Sequence, residues 1–162
     1  MPSAPNASSR SEVTVRPATP ADLEVLVRFS AAMARETEGR DLDLDRLRQG
    51  TLAVLKSSEH GFYVVAEAAS TVVGQLLITY EWSDWRNGVF WWIQSVYVEP
   101  SARRLGVYRA LHAHVLQEAR ARREVCGVRL YVEKENATAQ ETYIKLGMAP
   151  TTYCVYEQDF VL

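Results

Sequence analysis

Hydrophobic and polar positions follow two rhythms along this chain, one repeating every second residue and one every third or fourth. Val13–Arg16 reads as a short first strand. Thr19-Pro20-Ala21-Asp22 then has the chemistry of a helix start, with Thr as N-cap, Pro at the first helical position and Asp in the first turn. Leu23, Leu26, Val27, Ser30 and Met33 follow at helical spacing, and Gly39 closes that helix. Asp43 caps a second helix with Leu44, Leu47 and Leu55 on its inner side, ended by His60-Gly61. Phe62–Ala68 and Val72–Tyr80 are rich in β-branched and aromatic residues and predict a hairpin across Ala69-Ser70-Thr71. Asn87-Gly88 marks a turn. Val89–Val98 is the longest apolar stretch, and its composition predicts a central strand.

Glu99-Pro100-Ser101 breaks that strand. Leu105–Arg123 predicts a helix with Leu111, Val115, Leu116 and Ala119 facing inward, and Cys126–Val132 predicts a further strand. Asn136 caps a short helix that Gly147 ends, and Thr152–Val161 reads as a closing strand. The order β-α-α-β-β-β-α-β-α-β predicts an α/β or α+β fold around one sheet. It forms a single domain over residues 12–162 behind Met1–Ser11, a tail rich in Ser, Pro, Ala and Asn that is expected to be disordered.

Composition narrows the function classes. Of 162 residues, 48% are hydrophobic and 23% charged, which excludes a disordered chain. A net charge of −2 argues against bulk electrostatic binding to nucleic acid or an anionic membrane. No apolar run approaches the ~18 residues of a membrane span. The N-terminus lacks the basic start and apolar core of a signal peptide, so the expected location is cytoplasmic. Cys126 and Cys154 lie in apolar runs and are expected to be buried. His60, His112 and His114 have no metal-ligand company, so no metal is expected.

Val96-Tyr97-Val98-Glu99-Pro100-Ser101-Ala102-Arg103-Arg104-Leu105-Gly106-Val107-Tyr108-Arg109 runs strand, turn, helix. Acidic residues normally favour the first helical turn, yet this start is crowded with Arg103, Arg104 and Arg109 and has no acid after Glu99. Cations stacked on a positive dipole end are unfavourable unless an anion sits there. Gly106 would let a ligand near the free N–H groups, which points to a phosphate or diphosphate site. The same pattern also describes solvated arginines beside a packing glycine.

Arg103-Arg104-Leu105-Gly106-Val107-Tyr108 resembles the acetyl-coenzyme A signature of the GNAT superfamily of N-acetyltransferases, Arg/Gln-x-x-Gly-x-Gly/Ala. Tyr108 departs from it, standing where the signature has a small residue. Asn136-Ala137-Thr138-Ala139-Gln140-Glu141-Thr142-Tyr143, continuing to Gly147, resembles a second family motif, Asn-x-x-Ala-x-x-x-Tyr-x-x-x-Gly. Ala139, Tyr143 and Leu146 share one helix face, which predicts an inward Tyr143 whose hydroxyl needs a partner. A core tyrosine bonded to a carbonyl would satisfy the same pattern.

The resemblance implies a mixed, mostly antiparallel sheet of about six to seven strands with helices on both faces and a splayed central strand pair. It implies acetyl-CoA as cosubstrate. The backbone of Val96, Tyr97 and Val98 would bond the pantetheine arm. Arg103, Arg104, Leu105, Gly106, Val107, Tyr108 and Arg109 would hold the diphosphate, with Asn136 and Tyr143 also at the coenzyme. Tyr143 would be the general acid to the leaving thiolate, and its ordinary pKa of ~10 suits that step. Glu81, Asp84 and Glu133 are candidate bases at strand ends, each equally readable as a surface acid. The family also implies a homodimer through C-terminal strands, which Thr151–Tyr156 would permit.

On the acceptor side, Tyr80–Trp92 holds all four tryptophans. Alternation puts Phe90 and Trp92 on one face and Trp91 on the other, with Trp82 and Trp85 at a loop. Glu36 and Glu38 are expected between the first two helices, where the family has an acceptor-covering loop. Acids beside tryptophans suit a cationic amine, so Glu36, Trp82, Trp85 and Trp92 are the candidate substrate residues. The function expected is acetyl transfer to the primary amine of a small molecule such as a polyamine or an amino-acid-like amine. Acetylation of a protein amino group and a non-catalytic acyl-CoA sensor are the alternatives.

Overall fold

A computed structural model describes residues 12–161 of the chain; the predicted tail, Met1–Ser11, lies outside them. The chain divides into two compact units, Met1–Leu130 and Tyr131–Leu162. The first carries β1 (Val13–Pro17), α1 (Leu23–Glu38), α2 (Leu44–Lys56), β2 (Phe62–Ala68), β3 (Thr71–Ser83), β4 (Gly88–Val98), α3 (Val107–Arg120) and β5 (Val125–Arg129). The second carries α4 (Ala137–Lys145).

The five strands form one sheet in the order β1-β2-β3-β4-β5. Neighbours run antiparallel, except for the parallel pair β4–β5. The pleat sorts side chains between two helical layers. Val64 and Ala66 join Leu76, Ile78, Trp91 and Ile93 against Leu111 and Val115 of α3. Tyr63 and Val65, one position out of phase, meet Leu26 of α1 and Val54 and Leu55 of α2.

Local chemistry sets most boundaries. Thr19 and Asp22 close a reciprocal cap: the Thr19 N–H donates to Asp22 Oδ2 at 2.7 Å, and the Asp22 N–H donates to the Thr19 carbonyl at 2.9 Å. A 3-10 turn, Pro20–Asp22, leads into α1, which Gly39 ends at φ +61°. Asp43 Oδ1 accepts from the N–H groups of Asp45 and Arg46 at the start of α2. Ala69 and Ser70 both take positive φ, as a two-residue hairpin turn requires.

Five expectations are corrected. The sheet has five described strands, because Thr152–Val161 forms no strand: nothing pairs with its backbone among the described residues. β5 stops at Arg129 instead of Val132. α3 begins at Val107, not Leu105, because Arg104 and Gly106 take positive φ, which a right-handed helix does not hold. Leu44 is exposed: at the first helical position its side chain tilts past the helix end, and Thr51 fills the buried stripe instead. Cys126 and Cys154 are exposed, the first on an edge strand and the second in the segment that forms no strand. No described helix is long and apolar enough to cross a membrane.

Candidate functional site

The segment joining β4 to α3 is shaped by its backbone. A 3-10 turn, Pro100–Ala102, follows β4; Arg103 is extended, Arg104 sits at φ +64° and Gly106 at φ +87°. Gly106 is the N-cap of α3 and has no side chain with which to cap it. The N–H groups of Arg104, Leu105, Gly106 and Val107 therefore donate to no acceptor among the described residues. A Cβ on Gly106 would meet no protein atom within 4 Å, so within the fold this glycine is required by its backbone conformation and not by packing.

The arginines of this segment differ. Arg103 donates from Nη2 to Glu36 Oε2 at 2.6 Å and from Nε to the Val98 carbonyl at 2.9 Å. Its guanidinium also lies 5.4 Å from the Tyr97 ring centroid. Arg104 and Arg109 are exposed and form no ion pair or hydrogen bond among the described residues. Leu105 is exposed and Val107 buried in the core. Tyr108 is half-buried, its ring 5.9 Å from that of His112.

Glu36 is in the last turn of α1, as is Glu38, and not in the connection to α2. Its Oε1 accepts from the Tyr97 hydroxyl at 2.8 Å. Arg103 first, then Tyr97, hold its carboxyl below the usual carboxylate range. Glu36 thus joins the end of α1 to the β4–α3 connection. Glu99, at the head of that connection, accepts from Arg28 of α1 at 2.7 Å.

β4 is irregular where the sequence reading put the pantetheine arm. Gln75 pairs with Tyr97 and Leu77 with Gln94, so Leu76 alone opposes Ser95 and Val96. That is a β-bulge, with Ser95 at φ +50°. A non-glycine residue held there costs about 1–2 kcal/mol. On its other side β4 pairs with β5 only from Val89 to Trp92. From Ile93 to Val98 that edge has no ladder partner among the described residues, because β5 ends at Arg129, opposite Trp92 in the middle of β4. Sequence reasoning missed Ser95: Gln94-Ser95 is a short polar break in the Val89–Val98 run, with no Gly or Pro to signal a positive φ.

Glu81 is half-buried on β3, opposite Phe90 in the ladder. Its Oε1 accepts from Arg129 Nη1 at 2.9 Å, and its Oε2 accepts from Trp92 Nε1. The Arg129 guanidinium lies 3.6 Å from the Phe90 ring centroid. Arg129 had no signal in the sequence, since it is a lone charged residue inside the apolar Cys126–Val132 run. Trp82 and Trp85 are exposed, Trp85 to 86%. Asp84 is exposed and accepts from the Trp85 N–H at 2.9 Å. The first unit thus brings Glu36 to Arg103 and Tyr97, and Glu81 to Trp92.

The second unit carries Glu133, Asn136 and Tyr143. Glu133 is exposed. Asn136 Oδ1 accepts from the Ala139 N–H at 3.0 Å and caps α4. Tyr143 is half-buried, as are Ala139 and Leu146, whereas Thr138, Glu141, Ile144 and Lys145 of the same helix are exposed. Partial burial raises its hydroxyl pKa above the ordinary tyrosine value. Among the described residues no group of His, Cys, Asp and Glu is arranged to hold a metal ion.

Solved structures share this fold. A possible acetyltransferase from Clostridium difficile 630 superposes with a TM-score of 0.86 at 41% identity, covering 93% of this chain and 99% of its own. A predicted acetyltransferase of Clostridium acetobutylicum, solved with acetyl-CoA, gives 0.74 at 19%, covering 91% and 96%. AAC(6')-Iy in complex with a bisubstrate analog, CoA-S-monomethyl-acetylneamine, gives 0.73 at 17%, covering 93% and 100%. At these lower identities the two structures share the fold. No curated protein matches the chain. The Acetyltransferase (GNAT) family matches residues 26–148, which span both signature segments and the bulged strand. The chain belongs to the GNAT family of acetyltransferases.

Proposed function

We propose that this protein transfers the acetyl group of acetyl-CoA to the primary amine of a small molecule, by direct attack in a ternary complex. The observation that carries the reading is the unpaired edge of β4 leading directly into a loop with four acceptorless N–H groups. Such an edge suits the amides of a pantetheine arm, taken up as an added strand. Such a loop, with Arg104 and Arg109 beside it, suits a diphosphate. When bound, acetyl-CoA supplies an activated acyl carbon.

The chain's own residues do the rest. The Val96–Val98 backbone orients the arm, and an N–H near Val96 faces the thioester oxygen as it gains charge. Glu81 is the base: a stiff sheet and two donors fix its carboxylate, whereas Glu133 and Asp84 are exposed. The amine nitrogen forms the new C–N bond as the C–S bond breaks; Glu81 takes the amine proton and Tyr143 gives one to the thiolate. Burial raises the tyrosine pKa, so the hydroxyl stays protonated and can donate a hydrogen bond, and a proton, to the leaving sulfur. Trp92, held by Glu81, borders the amine, with Trp82 near the end of β3, not in a loop, and Trp85 in the turn beyond.

The same reading includes a homodimer. Tyr153, Val155, Tyr156, Phe160 and Val161 are exposed on a segment that forms no strand, which supports pairing with a second copy. Light scattering at the mass of one chain removes that part alone.

The test is mass spectrometry of reactions with pooled amines, alongside CoA calorimetry. The expected result is CoA binding, and an acetyl mass gain on an amine that Tyr143→Phe slows at saturating substrates. CoA binding without acetylation of any amine, protein amino groups included, supports the sensor reading instead.

A further inference from the structure

We infer that Gln75 is a positioning residue for the acyl-donor site: its buried side-chain amide clamps the β4 bulge at Ser95 and so holds the unpaired Val96–Val98 edge in shape. The inference rests on the reading of that edge as the pantetheine surface.

Gln75 lies in the middle of β3 and is 0% exposed. A fully buried amide is unfavourable unless bonded, and an apolar residue of the same size would fill the space without that penalty. This one is bonded on one side. Its Nε2 donates to the Ser95 carbonyl at 3.2 Å and to Ser30 Oγ at 3.0 Å. Its Oε1 is buried with no donor among the described residues. A half-satisfied amide in a core is explained when the half that is satisfied has a task.

The task is visible at Ser95. Ala69, Ser70 and Asn87 take positive φ in hairpin turns and Arg104 in the loop before α3, but Ser95 takes it inside a strand. Carbonyls in a regular ladder are taken by the N–H groups of a neighbouring strand. At the bulge, the Ser95 carbonyl takes a side-chain N–H instead. Gln75 is also the residue whose ladder position opposite Tyr97 marks the upper edge of the bulge. One side chain therefore meets the strained residue and borders the register shift.

The clamp is anchored. Ser30 of α1 is buried, as are Tyr63 of β2 and Thr51 of α2. Tyr63 is buried between them, and burial raises its hydroxyl pKa while the nearby Thr51 and Ser30 offset part of that rise. Thr51 Oγ1 donates to the Leu47 carbonyl at 2.9 Å. A hydrogen-bonded run thus leads from Ser30 of α1 through Gln75 of β3 to the β4 bulge, with the buried polar side chains of Tyr63 and Thr51 beside its α1 end. Support of this kind from rigid elements is what a binding edge needs to keep its geometry.

The test compares two probes by calorimetry: CoA, and the phosphorylated adenosine diphosphate half of CoA alone, which has no pantetheine arm. Wild type is measured first; if it binds neither probe, the site reading fails and this inference with it. For Gln75→Met the expected result is CoA binding weakened about tenfold, with the adenosine diphosphate half bound as in wild type. A purely structural residue would lower thermal stability and leave the ratio of the two affinities unchanged, and that result overturns the inference. If Gln75→Met does not fold, Ser30→Ala decides: it removes the amide's anchor on α1 and is expected to weaken CoA about threefold, selectively over the short probe. An unchanged ratio in Ser30→Ala then overturns the inference.

Discussion

Arg103 donates to Glu36 across 2.6 Å although the two are 67 positions apart in the chain. Sequence reasoning gave them to opposite substrates, the arginine to the diphosphate and the glutamate to the amine. The structure joins them into one ion pair that ties α1 to the β4–α3 connection. Both side chains are more than a third exposed, so the pair itself contributes only about 0–1 kcal/mol of stability. Its consequence lies in which arginine is available to an anion.

Arg104, like Arg109, is exposed and carries no counterion among the described residues, so it is an arginine expected to grip phosphate. Arg104→Ala should weaken CoA about tenfold, the loss of one charge-assisted contact. Glu36→Gln should act in the opposite direction: it uncovers the Arg103 charge, tightens CoA about threefold and steepens the dependence on salt. Calorimetry at two ionic strengths measures both. Weaker binding in Glu36→Gln would mean that the pair scaffolds the loop and does not mask its charge.

A second ion pair is expected to matter for stability. Arg16 grips Asp22 with two bonds, Nη1 to Oδ2 at 2.8 Å and Nη2 to Oδ1 at 2.9 Å, and also reaches Glu67 at 2.7 Å. Asp22 is buried, and Arg16 holds its carboxyl below the ordinary aspartate value. Its stabilising effect is therefore complete above about pH 4 and is lost as pH falls through the depressed value. Asp22→Asn should cost about 3 kcal/mol at neutral pH, because it leaves Arg16 poorly matched and weakens the cap at Thr19. Urea unfolding at neutral pH and near pH 3 should show the wild type losing part of that advantage, about 1 kcal/mol, and the variant showing less change.

His112 carries a pH signal in a different range. It is buried in α3, its Nε2 has no hydrogen-bond partner among the described residues, and burial lowers its pKa. The unfolded chain binds a proton here before the folded one does. The contribution is whole above about pH 6.5 and falls away as pH drops from there towards the lowered value. His112→Leu removes both the slope and an unsatisfied buried nitrogen, and should stabilise the protein by about 1 kcal/mol at pH 6. Thermal melts from pH 5 to 8 test it; an unchanged slope would locate the titration elsewhere.

These residues also show what a single sequence makes legible. Asp43, Asn136 and the Thr19–Asp22 pair announce helix starts because capping is a local interaction, readable within four positions. The Ala69-Ser70 hairpin and the split of Trp91 from Phe90 and Trp92 follow from period-two alternation, which the pleat enforces. Contacts at long separation are not written that way. Nothing beside Glu36 names Arg103, and nothing beside Gln75 names Ser30 or the Ser95 carbonyl. The Thr152–Val161 run states a propensity for strand, whereas a strand also needs a neighbour. Leu105 was placed in α3 because apolar spacing carries no record of a positive φ at Arg104.

Gly106 separates two reasons for a glycine. At Gly127 an added Cβ would lie 2.5 Å from the Phe90 ring, so space is the constraint. At Gly106 the same atom would meet nothing within 4 Å, and only φ +87° opposes a side chain. Gly106→Ala should therefore cost about 1–2 kcal/mol through the backbone alone. Gly106→Asn should cost less, because asparagine tolerates positive φ. If the turn at Gly106 aims the acceptorless N–H groups, relaxing it should weaken CoA in the same order, alanine more than asparagine. Gly127→Ala should lose stability by overpacking yet bind CoA as wild type does, since Gly127 lies on β5 opposite Phe90 and away from the loop. Melting curves and CoA calorimetry on the three variants give six values. Equal affinity for Gly106→Ala and wild type would show that the loop's amides reach their ligand without this turn.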